Sequence, residues 1–195
     1  MRQPLTMPEA EELALVERIR AGDGEAWADL LSRYQHRLYT ICYRMVNDHD
    51  MALDLTQDAM VKIIQGLDTW DGRSKLSTWI IRVTMNACLS KLRSEKYRRH
   101  ASMDLPVHGS DGSTFGDSLA QFKELSAAER VERDEERFRM ADALRRLSPE
   151  HKAILVLRDG RGLEYEQIAE ILEIAVGTVK SRLFRARNAL RELLE

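Results

Sequence analysis

Leu163-Glu-Tyr-Glu-Gln-Ile-Ala-Glu-Ile-Leu-Glu-Ile-Ala-Val-Gly-Thr-Val-Lys-Ser-Arg-Leu-Phe-Arg-Ala-Arg187 is the stretch that decides the fold. A short helical pattern runs from about Glu164 to Leu172, Glu173-Ile-Ala175 interrupts it, and a last helix starts at about Val176. Two helices around so short a turn are what a helix-turn-helix needs, although the glycine often found in that turn is missing. On the last helix Val179, Leu183, Ala186 and Leu190 recur at three and four and form the buried stripe. Lys180, Ser181, Phe184, Arg187 and Arg191 then face outward, with Arg182 and Arg185 on the flank. A helix fits the major groove of B-DNA, where an Arg or Lys bonding guanine supplies ~1–3 kcal/mol of discrimination. Phe184 has two readings: an aromatic among cations that meets a thymine methyl or a sugar, or one that packs on the preceding helix.

Upstream, helical periodicity continues almost throughout, and no run alternates with the period of two that a half-buried strand requires. Ser148-Pro149-Glu150 is a helix start, with a capping hydroxyl, a proline at the first helical position and an acid near the positive helix end. That helix carries Ile154 to Leu157 and stops at Gly160 and Gly162, and before it Phe138, Ala141, Leu144 and Leu147 mark another. In the first half, Leu13, Val16 and Ile19 define a helix closed by Gly22, and Asp23 caps the next, whose face is Trp27, Leu30, Leu31, Tyr34, Leu38, Ile41, Cys42 and Met45. Met51, Leu55, Ala59 and Ile63 define a third helix, ending near Gly66. From Ser77 a fourth buries Ile81, Met85, Cys88 and Leu92, and its opposite stripe is Arg82, Asn86, Ser90, Arg93 and Tyr97. Trp27 and Trp79 read as core rather than as a base-stacking platform, and Trp70, beside the basic loop Asp71 to Lys75, is left open between the two.

Between Ala101 and about Ala128 the periodicity stops, and turn formers and acids crowd Gly109-Ser-Asp-Gly-Ser-Thr-Phe-Gly-Asp-Ser118. So long a structureless stretch inside one compact domain is unusual, which sets a domain boundary there. A chain of 195 residues has room for two small domains. The expected architecture is all-α: a helical domain over 1–100, a flexible acidic linker over 101–128, and a helix-turn-helix domain over 129–195.

The net charge of −2 hides a partition. Residues 1–72 carry −6, 73–100 carry +7, 101–136 carry −6, 137–175 balance, and 176–195 carry +3. Two basic islands thus lie in an acidic chain, one on each helix with a polar outward stripe. A helix through the first would reach ~40 Å, enough to lay its charges along a polyanion, and a merely solvated face is the alternative. Cys42 and Cys88 are too few for a disulfide framework and lack zinc-site spacing, which points to a reducing cytoplasm. Met1 to Glu12 has no apolar signal core and no window approaches the ~20 apolar residues of a membrane span, so a soluble chain without membrane insertion is expected. His36, His49, His100, His108 and His151 share no motif, and no phosphate-cradling glycine loop or nucleophile-base pair occurs. No metal, cofactor or enzymatic activity is expected.

These motifs, in this order, resemble the bacterial RNA polymerase sigma factors of the extracytoplasmic-function group. Asp54-Leu-Thr-Gln-Asp-Ala-Met-Val-Lys62 is similar to the family's polymerase-binding helix, and Ser77-Thr-Trp-Ile-Ile-Arg-Val-Thr-Met-Asn-Ala87 to the helix that reads the promoter −10 element. Leu147-Ser-Pro-Glu150, Leu163 to Ala169 and Val176 to Arg187 resemble the −35-reading domain. Asp58 stands where many members have Glu, and Met60 where the family usually has Phe. The resemblance implies a non-catalytic subunit that binds core RNA polymerase, through the beta-prime clamp and the beta flap, and recognises promoter DNA. Asp54, Leu55, Gln57, Asp58 and Lys62 are implied at the polymerase, Lys75, Ser77, Arg82, Asn86 and Arg93 at the −10 element, and Thr178, Lys180, Ser181, Arg182, Phe184 and Arg185 at the −35 element, with the helix-turn-helix spanning about Tyr165 to Phe184. Asn86 matches the position that captures an unstacked base, a task for an amide that both donates and accepts. An anti-sigma factor as inhibitor is also implied. The other open reading is a free-standing helix-turn-helix regulator, which would normally bind two half-sites as a dimer.

Overall fold

The computed structural model describes residues 9–101 and 127–195. The acidic stretch Gly109 to Ser118, and the linker expectation built on it, lie outside the described residues. Among those described, every regular element is helical: α1 (Glu9–Arg20), α2 (Gly24–Val46), α3 (His49–Gly66), α4 (Leu76–Ala101), α5 (Ala127–Arg146), α6 (Pro149–Leu155), α7 (Tyr165–Leu172) and α8 (Val176–Leu194). A single 3-10 turn follows α3, and a π turn over Val156–Gly160 follows α6.

Side-chain caps fix where the helices begin. The Asp23 carboxylate accepts from the Glu25 and Ala26 amides and starts α2; Asp48 accepts from Met51 and starts α3; Ser148 accepts from His151 and starts α6 at Pro149. Asn47 closes α2 in the left-handed region, where a short polar side chain is tolerated. α7 opens with a capping box in which Glu164 and Gln167 exchange side-chain and backbone hydrogen bonds.

Two apolar clusters fill the interior. One joins Leu15, Val16 and Ile19 of α1 to Leu30, Tyr34 and Leu38 of α2, Ile63 of α3 and Leu76, Trp79 and Ile80 of α4. The other begins with Ile41, Cys42 and Met45 of α2 and continues through Ile81, Met85 and Leu89 of α4 into Ile154, Leu157, Ile168, Ile171, Val179 and Leu183. The two domains therefore share a core, with α4 as the seam: α2 and α3 pack on one side of it, α6 and α7 on the other. Each large aliphatic side chain buried here stabilises by roughly 1.5–3 kcal/mol. Truncating Ile154 or Leu157, both fully buried, would cost about 2–5 kcal/mol.

Two details differ from the periodicity, at Leu13 and Phe138, and a third, at Trp70, decides a reading the sequence left open. Leu13 is 45% exposed, and α1 turns Glu12, Leu15, Val16 and Ile19 inward instead. Trp70 is buried, because its indole donates to the Ser74 carbonyl while Arg20 bonds the Trp70 carbonyl. Phe138 stands out at 75% exposure, and α5 contributes Ala143 to the interior, with Leu147 just after the helix. Cys42 and Cys88 are buried free thiols with their sulfurs 3.7 Å apart.

Candidate nucleic-acid interface

Three surfaces carry the residues singled out in the sequence. The first is the outer face of α3. Asp54, Gln57, Asp58 and Lys62 are exposed there, and Leu53, Val61 and Ile64, at 42–49%, add an apolar component that the buried stripe Leu55, Ala59 and Ile63 leaves behind. Leu55 itself is a correction: it is 3% exposed, because it belongs to that stripe, and it supports the face from behind. A shallow groove of about 290 Å³ runs between α2 and α3, lined by Gln35, His36 and Tyr39 on one side and Leu53, Gln57 and Met60 on the other. Sequence reasoning missed the exposed leucine, valine and isoleucine; the signal was apolar residues off the stripe.

The second surface is the polar side of α4. Asn86, Ser90 and Arg93 are exposed, Arg82 is half-buried, and Lys75 is exposed just before the helix. Tyr97, further along, is 78% exposed. Ser77 is the second correction. It is buried at 3%, on the inner side of the first turn and facing Tyr34, and offers no hydroxyl to a ligand in this arrangement.

The C-terminal domain occupies both ends of that stripe. Arg93 donates through Nε and Nη2 to one Glu150 oxygen at 3.3 Å, and Arg82 Nη1 lies 3.9 Å from Glu173. Asn86, between them, stays open to solvent. Glu173 sits in the helix-turn-helix turn with a left-handed backbone, φ 54°, the position where the sequence lacks glycine. Beside this seam Arg44 donates to the Gly160 carbonyl at 2.7 Å and Arg161 to the Arg37 carbonyl at 3.2 Å. Burial first, and then the Arg44 and Arg37 charges, pull the Arg161 pKa down to about 10, and its Nε is buried without a hydrogen-bond partner. Closure thus gathers like charges as well as apolar groups.

The third surface is the N-terminal half of α8. Lys180, Ser181, Phe184 and Arg185 are exposed and Thr178 and Arg182 half-buried, over the buried stripe Val179, Leu183 and Ala186. Phe184 is 67% exposed, so it does not pack away against the preceding helix. Ala175 at the helix start offers no side-chain cap, and the space where a Cβ would stand at Gly177 is open. An uncapped helix N-terminus presents free N–H groups and a positive dipole end, which suit an anion such as a phosphate. Arg187 is drawn to the other flank by Asp159, which raises its pKa. Lys180, Arg182 and Arg185 thus lie in the first half of α8, with Arg191 exposed further along the helix.

Among the described residues no group of three or more potential metal ligands gathers, and no helix is long and apolar enough to cross a membrane.

Comparison with known proteins follows the same division. Residues 30–98 match Sigma-70 region 2, and residues 137–190 match Sigma-70, region 4. The RNA polymerase sigma-H factor of Pseudomonas aeruginosa is 32% identical over 190 residues, covering 97% of this chain and 96% of that protein. The ECF RNA polymerase sigma-E factor of Escherichia coli K12 is 35% identical over 177 residues, covering 90% of each. Among solved structures, the sigma factor RpoE bound to the anti-sigma factor NepR from Bartonella quintana superposes with a TM-score of 0.62 at 27% identity, covering 86% of this chain and 95% of that one.

Proposed function

This chain belongs to the sigma-70 family of RNA polymerase sigma factors, in its extracytoplasmic-function group, and from that membership we propose how its three surfaces divide the work. It binds core RNA polymerase in the cytoplasm and directs initiation at promoters, with the chemistry left to the polymerase. The acidic and apolar face of α3, Asp54, Gln57 and Asp58 with Leu53 and Val61, docks on the polymerase clamp. The polar stripe of α4 binds the −10 element and holds an unpaired base at Asn86. The start of α8 enters the −35 major groove with Lys180, Ser181, Arg182 and Arg185, and Phe184 contacts a thymine methyl or a sugar.

The observation that carries this reading is the α4 stripe: an exposed amide at Asn86 flanked by Arg82 and Arg93 on one face of a rigid helix. Extruding a base costs a few kcal/mol, which an amide bonding the base edge together with cations on the neighbouring phosphates returns. Phosphate contacts of this kind weaken steeply with salt. Since Arg82 and Arg93 are engaged by Glu173 and Glu150 here, the domains must separate for the whole stripe to meet DNA. Polymerase, by holding the two domains apart, converts a closed chain into a promoter reader. An anti-sigma factor would act in the opposite sense, as the Bartonella relative's partner suggests. A free-standing helix-turn-helix regulator would leave the region 2 match and the α3 face without a use.

The division is tested in holoenzyme. Asn86→Ala should abolish discrimination at the −10 element while leaving affinity for core polymerase intact. Asp54→Ala with Asp58→Ala should do the reverse. An unchanged −10 preference in Asn86→Ala would remove that residue from the reading.

A further inference from the structure

α1 lies outside the region 2 match, which begins at residue 30. It carries an unusual group for a buried helix face. Glu12 is 1% exposed, on the same side as Leu15, Val16 and Ile19. Its Oε2 accepts from the backbone amide of Leu76 at 3.0 Å, the first residue of α4. Burying a carboxylate costs several kcal/mol unless it is compensated. Here the N-terminus of α4, with its unpaired N–H groups and the positive end of its dipole, compensates the charge through Oε2, while Oε1 is buried without a hydrogen-bond partner.

α4 needs a cap from elsewhere. Its Ncap position is Lys75, whose carbonyl accepts from Trp79 at 3.1 Å but whose side chain has no acceptor to give. The local devices that open α2, α3 and α6, an Asp or a Ser just before the helix, are therefore missing at the one helix that carries the −10 stripe. A second bond from α1 holds the approach to it: Arg20 Nη2 donates to the Trp70 carbonyl at 2.8 Å, while the Trp70 indole donates to the Ser74 carbonyl at 3.1 Å. Both ends of the basic loop Asp71 to Lys75 are thus fixed by contacts that begin on α1. Tyr34 closes the back of this site, its phenol pKa pushed up to about 12 by burial first and the Glu12 charge second.

We propose that Glu12 is a positioning residue for promoter recognition: supplied from α1, it caps α4 in trans along the chain and sets the first turn of the −10 helix and the loop before it in the geometry that DNA meets. The proposal rests on the −10 reading of α4. An uncapped first turn frays, and Lys75 and the loop must then be ordered at the moment of binding, which lowers affinity for the unpaired −10 strand. Affinity for core polymerase, carried on α3, does not depend on that ordering.

Glu12→Gln and Glu12→Asp separate the cap from the charge. Gln keeps an oxygen within reach of the Leu76 amide and loses the charge; Asp keeps the charge and withdraws the oxygen by one methylene. Each variant is assembled with core polymerase, and its affinity for core, its affinity for single-stranded −10 DNA and the amide exchange of Leu76 to Thr78 are measured. Glu12→Asp should lose roughly fivefold in −10 affinity, the scale of a lost helix cap, with faster exchange at those amides and unchanged core binding. Glu12→Gln should stay within about twofold of the unsubstituted chain. Equal −10 affinity for all three at equal folded fraction, or core and −10 affinity falling together, would overturn the proposal. If the unsubstituted holoenzyme itself showed no preference for the −10 strand, the failure would lie with the reading of α4 and not with Glu12.

Discussion

Neutralising Glu150 and Glu173 together, as Glu150→Gln with Glu173→Gln, removes the two ion pairs that tie the −10 stripe to the C-terminal domain while keeping side-chain shape. The Arg93–Glu150 pair is 3.3 Å long with side chains 57% and 37% exposed, so solvent screens it, and it contributes about 0.5–1 kcal/mol. The Arg82–Glu173 pair, at 3.9 Å with the carboxylate 68% exposed, contributes about 0.3 kcal/mol. Together they bias the closed form by about 1 kcal/mol, so their loss should raise the ratio of open to closed chain about fivefold. The shared apolar core keeps the closed form dominant, and apparent affinity then scales with the open fraction. The assay is energy transfer between a dye on α2 and one at the end of α8, in parallel with binding of single-stranded −10 DNA to the free chain. The variant should show lower transfer and about fivefold tighter binding in low salt, and at about 1 M salt, where the pairs are screened and DNA binding is weak for both chains, the two should converge in transfer. Glu170→Gln, an exposed acid on α7, controls for the removal of negative charge near DNA. Equal transfer and equal binding in the variant and the unsubstituted chain would show that the two pairs do not hold the domains together.

Two further outcomes follow from single side chains. Lys152 is 4% exposed, and burial first, with Arg145 second, pulls its pKa from the usual 10.5 to about 8. Between those values the unfolded chain binds more protons than the folded one, so the stability contribution of this group rises with pH from about 8 to about 10.5 and is flat below. Lys152→Met should therefore stabilise the chain at pH 7 by about 1–3 kcal/mol and remove that slope, as read from urea unfolding at pH 7 and 9.5; identical pH trends for both proteins would contradict it. Phe184→Ala, at a side chain 67% exposed, should leave the melting temperature unchanged and weaken −35 duplex binding by holoenzyme, with the salt slope preserved because no phosphate contact is lost. A lower melting temperature with unchanged duplex binding would assign the ring to packing instead.

How legible the molecule is in its sequence depends on how local the deciding force is. Ser148-Pro149-Glu150, the stripe Val179, Leu183 and Ala186, and the cap at Asp23 act within a few residues, and each reads directly. α1 is harder, because Leu13, Val16 and Ile19 and the set Glu12, Leu15, Val16 and Ile19 both fit a helical period. The choice between them is made by the N-terminus of α4, 64 residues away, which turns a carboxylate inward. Trp70 is buried for the same kind of reason, through Arg20, 50 residues earlier. The closed arrangement is not local at all: Arg93 and Glu150 are 57 residues apart, and neither one's surroundings in sequence names the other. The charge partition exposes two basic islands, and only the fold shows that the first is held by acids of the second domain. Leu55 and Ser77 fall inside motifs that the family resemblance highlights, yet their helical phase turns them into the core.

The most direct test of the central claim is transcription in vitro from a library of promoter fragments, with core RNA polymerase alone and with this chain added. A shared −10 and −35 pair should emerge among the transcribed fragments only when the chain is present, and Asn86→Ala should relax the −10 half of it. No gain in specific initiation over core polymerase would contradict the assignment of this chain as a promoter-specifying subunit.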